Sequence, residues 1–236
     1  MFVKPNSSKF RLLTLSITLL LLVGCSRSFV VTSEVPRPLI EKMPISAKLV
    51  YSKQFAEYVY VEPGRNRALD EVDFGQAQVG LFDSVFSELL TVVDESATEY
   101  DFKIEPQILD FQYSVPAETK IRAYEIWLKY RLKITDQQDT EVADWVVKGY
   151  GKTPTSTFGS QLGAFNTASN IALRDVGAQL AIGFRSQPSI EAYVAGNRNS
   201  ATQEVSAEQV DTQVTDTQAT TTGSQLDASE PEADNE

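Results

Sequence analysis

Arg122-Ala123-Tyr124-Glu125-Ile126-Trp127-Leu128-Lys129-Tyr130-Arg131-Leu132-Lys133-Ile134-Thr135 is the stretch that decides the fold. Tyr124, Ile126, Leu128, Tyr130, Leu132 and Ile134 alternate with Ala123, Glu125, Trp127, Lys129, Arg131 and Lys133. Successive side chains of a strand point to opposite faces, so one face of this segment is apolar and the other mostly charged. The alternation predicts a strand half-buried in a sheet, with one side on a core and the other in solvent. Asp136-Gln137-Gln138-Asp139 reads as a turn and 141–150 as the returning partner, because antiparallel strands can be joined by so short a loop.

The flanking segments supply what that strand packs against. Phe102–Tyr113 reads as a further strand, with Leu109, Phe111 and Tyr113 alternating and Pro106 marking an edge, a bulge or a break. Residues 45–61 hold one or two strands, broken by Pro63-Gly64-Arg65-Asn66. Two amphipathic helices are expected. Ala77–Val93 carries Val79, Phe82, Phe86, Leu89, Leu90 and Val93 at spacings of three and four, starting near Asp73 or Gly75. Asn166–Phe184 carries Ala168, Ala172, Val176, Leu180 and Phe184, widened by Ile171 and Leu173, and its alanines suit close packing on a sheet. Thr153–Gly163 reads as a loop. The expected fold class is α+β: an antiparallel or mixed sheet of about four to five strands with two helices on one face, in the order β(β)-α-β-β-β-α.

Composition narrows the function. Residues 25–236 carry 18 bases and 32 acids, a net charge of −14. Nine of those acids and no base lie in 199–236, so the rest is close to an ordinary globular surface. Residues 195–236 contain one leucine and no aromatic residue, and read as an acidic disordered tail. The balance argues against a nucleic-acid partner, which would be met with Lys and Arg. The chain has no histidine and one cysteine, Cys25, which removes the usual general base and any zinc site built on Cys or His. No cofactor, no metal and no nucleotide is expected.

The start of the chain carries an address. Lys4, Lys9 and Arg11 precede twelve uncharged residues from Leu12 to Val23, then Gly24 and Cys25. A basic region, an apolar run and small residues before a cut site have the layout of a secretory signal. The run is short for a transmembrane helix, which takes about 20 apolar residues; the alternative is an uncleaved anchor with an incidental thiol. Leu22-Val23-Gly24-Cys25 resembles the lipobox of bacterial lipoproteins. That resemblance implies cleavage between Gly24 and Cys25, lipidation of Cys25, and, because Ser26 rather than Asp follows, an outer-membrane destination. Residues 25–44, with Pro36, Pro38 and Pro44, then read as a tether to a domain at 45–194; the alternative for Phe29-Val30-Val31 is an edge strand.

Lipobox and element order together resemble a group of Gram-negative envelope lipoproteins, among them lipopolysaccharide-assembly and ABC-transport auxiliary lipoproteins. The resemblance rests on 82–93, 124–134 and 166–184 and implies a non-catalytic, periplasmic, membrane-anchored subunit of an envelope transport or assembly complex.

Tyr150-Gly151-Lys152-Thr153 lacks the glycine a phosphate loop needs four residues earlier, where Val146 stands, and reads as strand end and turn. Lys129, Arg131 and Lys133 form a basic row that suits an anionic partner, or pairs with Glu141 or Asp144 across the hairpin. Glu105, Asp110, Glu125 and Asp144 are the carboxylates a polysaccharide-cleaving enzyme would draw on, though no spacing selects a pair. A lipid carrier, the remaining alternative, would need an apolar cavity between sheet and helices. Tyr51, Phe55, Tyr58 and Tyr60, with Tyr113 and Tyr124, are assigned to core and sheet packing.

Overall fold

Alternation in the quoted stretch is realised residue by residue. From Tyr124 to Ile134 every second side chain is buried, while Trp127, Arg131 and Lys133 are exposed and Glu125 and Lys129 half-exposed. The computed structural model describes residues 28–33, 37–64, 69, 71–157 and 160–196. Its strands are β1 (Ser28–Val30), β2 (Ser46–Leu49), β3 (Val59–Val61), β4 (Glu71–Asp73), β5 (Thr91–Val92), β6 (Phe102–Ser114), β7 (Ala123–Thr135) and β8 (Glu141–Pro154). Its helices are α1 (Lys53–Ala56), α2 (Gly75–Leu89) and α3 (Gln161–Gly183). The fold is α+β. One sheet has the order β5-β2-β6-β7-β8 and is mixed: β2 runs parallel to β5 and β6, and β6-β7-β8 are antiparallel. A second sheet has the order β1-β4-β3. The described residues up to Gln187 form one compact unit. Of the second unit, 188–236, the described part is a helical segment at 188–196, so the remaining tail, like Gly24 and Cys25, lies outside the described residues.

The β7–β8 hairpin closes through local chemistry. Asp136 accepts from the backbone N–H groups of Gln138 (2.8 Å) and Thr140 (2.9 Å), and Asp139 takes a left-handed φ of 58°, which Asp tolerates better than most residues. β8 runs on to Pro154, so 150–153 is strand rather than turn, and Thr153 is buried. In β6 a bulge between Ile108 and Asp110 turns Leu109 outward and restores Phe111 and Tyr113 to the core, so Leu109 does not share their face. Pro106 sits inside β6, opposite Leu132. The Ile104 carbonyl accepts from Val50 N–H on the β2 side, and Pro106, two residues on, has its ladder groups on that same side. Pairing with β2 stops at Ile104, so the missing proline N–H falls on an open edge.

Both long helices cover one face of the five-stranded sheet. The ring of Phe82 (α2) meets Tyr130 at 5.4 Å, and Phe165 (α3) meets Tyr124 at 5.4 Å. α2 ends at Leu89, not Val93, because Leu90 turns extended and Thr91-Val92, a β-branched run, pairs with β2. Its buried stripe is Gln78, Leu81, Phe82, Val85, Phe86 and Leu89 rather than one through Val79. α3 starts earlier than expected, where Ser160 accepts from Gly163 N–H (3.0 Å) as N-cap, and Ile171 is exposed while the Ala168–Leu180 stripe is buried. The short α1 lies within the stretch read as strands, started by Ser52 accepting from Phe55 N–H. Ser28–Val30, within the expected tether, is an edge strand beside β4.

Two tyrosines, Tyr130 buried and Tyr51 half-buried, give this fold a pH signature. Among the described residues the Tyr130 hydroxyl is buried without a hydrogen-bond partner, against Phe55 and Phe82. Burial raises its pKa far above the ordinary 10.0, and burial plus a 2.7 Å hydrogen bond to the Asp83 carboxylate does the same for Tyr51. A raised folded-state pKa leaves stability whole below the unfolded value near 10 and removes it above, by about 1.4 kcal/mol per pH unit per group. Tyr130→Phe is therefore expected to hold or gain about 1 kcal/mol at neutral pH by removing an unpaired hydroxyl. It should also flatten the alkaline loss, as read by urea unfolding below and above pH 10. A neutral-pH loss beyond about 1 kcal/mol shows instead that the hydroxyl is hydrogen-bonded in solution.

Candidate functional site

The two helices leave the other face of the five-stranded sheet open, and its side chains are set by register alone. Across β7 and β8, Glu125 stands opposite Lys152, Trp127 opposite Tyr150, Lys129 opposite Lys148, Arg131 opposite Val146 and Lys133 opposite Asp144. Across β6 and β7, Asp110 stands opposite Lys129 and Glu105 opposite Lys133.

Most charges on this face are answered. Lys152 Nζ meets Glu125 Oε1 at 2.7 Å, and that hydrogen bond holds the lysine pKa above its usual range. Arg131 Nε meets Asp144 Oδ1 at 3.1 Å. Lys133 lies between Asp144 and Glu105. Lys103 pairs with Asp139, and their hydrogen bond lowers the aspartate pKa. Exposed pairs of this kind are screened by water and contribute little to stability. Of the basic row read from sequence, Arg131 is thus taken up by the hairpin partner and Lys133 is flanked by acids. The four carboxylates Glu105, Asp110, Glu125 and Asp144 are brought to the same face, but each meets or faces a base.

Lys129 is different. On one side it faces Asp110, and on the other it stands directly opposite Lys148. Like charges directly opposite one another destabilise a strand pair. Next along the strands, Trp127 and Tyr150 place their rings 5.5 Å apart, tilted by 41°, and both are exposed. Burial, with the Glu125 carboxylate beside it, raises the Tyr150 pKa. These residues line a cleft of about 500 Å³ that reaches the β8 edge, with Asp110, Gln112, Asp175 and Gln179 also on its walls. That edge is closed by α3: Asp175 accepts from Tyr150 N–H at 2.9 Å and Gln179 donates to the Lys148 carbonyl. Such capping removes backbone groups that would recruit a stray strand. The arrangement offers two exposed rings, two lysines opposed on neighbouring strands, and amide and carboxylate edges: a binding surface for an anionic group carried beside an apolar one.

Lys148 and Tyr150 were not singled out from sequence as site residues. They lie on β8, and only strand register places them beside Lys129 and Trp127. The space between sheet and helices, where a lipid carrier would need its cavity, is packed with the rings of Phe82, Phe86, Tyr130 and Phe165. Among the described residues no helix is long and apolar enough to cross a membrane.

No family model matches the sequence, and neither does any curated protein. Solved structures do. A Xanthomonas campestris protein of the DUF330 family is 14% identical, with a TM-score of 0.40, over 75% of this chain and 98% of that one. A minor lipoprotein of Acinetobacter baumannii is 11% identical, with a TM-score of 0.38, over 61% of this chain and 90% of that one. Uncharacterized lipoprotein B of Nitrosomonas europaea is 12% identical, with a TM-score of 0.38, over 69% and 94%. Similarity of this order assigns no function.

Proposed function

We propose that this chain is a lipoprotein of a Gram-negative envelope, processed between Gly24 and Cys25, lipidated at Cys25 and held at the periplasmic side of the outer membrane. It acts without catalysis, as an accessory or scaffold subunit of a membrane-protein complex in transport or assembly. The observation that carries the binding role is the opposed Lys129–Lys148 pair beside the exposed Trp127–Tyr150 rings on an uncovered sheet face. A strand pair that keeps like charges opposed accepts a local cost, and an anionic segment of a partner offsets it. Anchoring raises the effective concentration of domain and membrane partner, so a modest contact is enough.

The test has two arms. Cys25→Ser is expected to abolish incorporation of labelled fatty acid and to leave the signal attached, read as the mass of the intact chain; unchanged fatty-acid labelling, or the same N-terminus in parent and variant, overturns the anchor. A photo-reactive residue at Tyr150 is expected to capture a membrane protein in intact cells, and capture should fall at least several-fold with Lys129→Glu and Lys148→Glu. Capture of peptidoglycan alone, or capture indifferent to both reversals, overturns the binding role.

A further inference from the structure

β1 begins at Ser28, and the chain is held from Phe29 to Thr32. Val31 N–H donates to the Asp73 carbonyl at 2.9 Å, Thr32 N–H donates to Asn166 Oδ1 at 3.1 Å, and Asn170 Nδ2 donates to the Thr32 carbonyl at 2.8 Å. The Phe29 ring packs edge-on to Phe165 at 5.2 Å. Only two residues, Ser26 and Arg27, separate Cys25 from this anchored strand. A chain advances about 3.3–3.6 Å per residue at most, so Ser28 lies no more than about 11 Å from Cys25.

The faces of the small sheet follow from register. Phe29, Val72 and Tyr60 form one row, and Val72 and the Tyr60 ring meet the interior, the latter against Phe111 at 4.8 Å. The opposite face carries Val30, Asp73 and Val59 in one row and Ser28, Glu71 and Val61 in the next. Its three valines are 57%, 42% and 63% exposed at positions 30, 59 and 61. Val61 lies two strands from Ser28, about 10 Å at the usual strand spacing.

We propose that this face, formed by Val30, Val59 and Val61, lies against the headgroup layer of the bilayer that holds Cys25. The proposal rests on the anchor reading above and adds an orientation to it. A tether of about 20 residues would let the domain stand away from the lipid; a linker of two holds β1 and its neighbours at the interface. Glu71 and Asp73 on the middle strand keep the depth shallow, because hydrated carboxylates stay out of the acyl region. The valines then meet the interface from both edge strands.

The test uses full-length protein purified from membranes with its lipid in place and reconstituted into phosphatidylethanolamine–phosphatidylglycerol vesicles. Cys25 is the chain's one cysteine, so Val30→Cys, Val61→Cys and, as control, Ile182→Cys each add a single labelling site. Ile182 is exposed and lies about 25 Å along α3 from Phe165, at 1.5 Å per residue. An environment-sensitive fluorophore at Val30 or Val61 is expected to shift blue on reconstitution and to be quenched several-fold more than one at Ile182 by headgroup-proximal spin-labelled lipid. Aqueous spectra at Val30 and Val61 on protein that floats with the vesicles overturn the orientation and leave the anchor standing. Equal quenching at all three sites, or a blue shift without lipid quenching, as a second copy covering the face would give, overturns it too. Unmodified Cys25 and no flotation overturn the anchor reading and the orientation with it.

Discussion

Gly151→Val is expected to cost about 3 kcal/mol or more of folding stability, at the upper end of what overpacking costs. Gly151 lies on the inner face of β8, opposite Ile126, where α3 crosses. A Cβ there would stand 1.9 Å from the Ala168 carbonyl oxygen and 2.5 Å from Ala172 N. At Gly149, two residues back, it would stand 2.4 Å from the Ala172 carbonyl oxygen and 2.5 Å from Val176 Cγ2. Strand and helix therefore touch backbone to backbone, with alanine on one side and glycine on the other. Helix backbone has no rotamer to change, so α3 must lift from the sheet, taking Leu173, Val176 and Leu180 with it. Gly80→Ala in α2 supplies the contrast: nothing lies within 4 Å of its Cβ position. That change should stabilise by about 0.5–1 kcal/mol, through helix propensity alone. Urea or thermal unfolding of the two variants checks both signs. A Gly151→Val protein as stable as the parent would show that α3 does not sit this close in solution.

Phe165→Ala is expected to lose about 3–5 kcal/mol, the range for removing a fully buried ring. Against a total of roughly 5–15 kcal/mol for a domain, that brings the protein near its unfolding threshold. Phe165 is fully buried in the second turn of α3 and meets Phe29 at 5.2 Å, Tyr113 at 5.6 Å and Tyr124 at 5.4 Å, all edge-on. One ring thus joins β1, β6 and β7 to the helix. Its removal should also release β1 ahead of the rest, because β1 is a three-residue edge strand with one neighbour. Hydrogen exchange reads this directly: the Val31 amide, bonded to the Asp73 carbonyl, should lose protection by more than the β7 amides do. Uniform loss across both sheets would show that Phe165 contributes bulk alone and does not secure β1.

Neither position stood out before the structure. Phe165 stands one residue before the helical stretch 166–184 that the spacing predicts, and Gly151 falls in a Gly-Lys-Thr stretch that lacks the first glycine of a phosphate loop. The signals that were legible are periodic ones. The alternation along 124–134 and the Ala168–Leu180 stripe survive intact because burial of one face acts on every second, or every third to fourth, residue. Leu109 misled because a bulge adds one residue and inverts the alternation beyond it, an event set by the partner strand. The basic row along β7 was legible as a row. That Arg131 meets an acid of β8 while Lys129 faces a like charge there depends on β8 register, which places Asp144 beside one and Lys148 beside the other.

Sequence alone determined the α+β class, the half-buried β7–β8 hairpin and the order of the two long helices, because these are repeats along one segment and each segment carries its own pattern. Tertiary structure decided that Ser28–Val30 joins residues 71–73 rather than forming a tether, that glycines at 149 and 151 admit a helix, and that Lys129 stands opposite Lys148 beside two open rings. Those facts are contacts between residues distant along the chain. Chain closure brings them together, and closure leaves no period in the sequence to read.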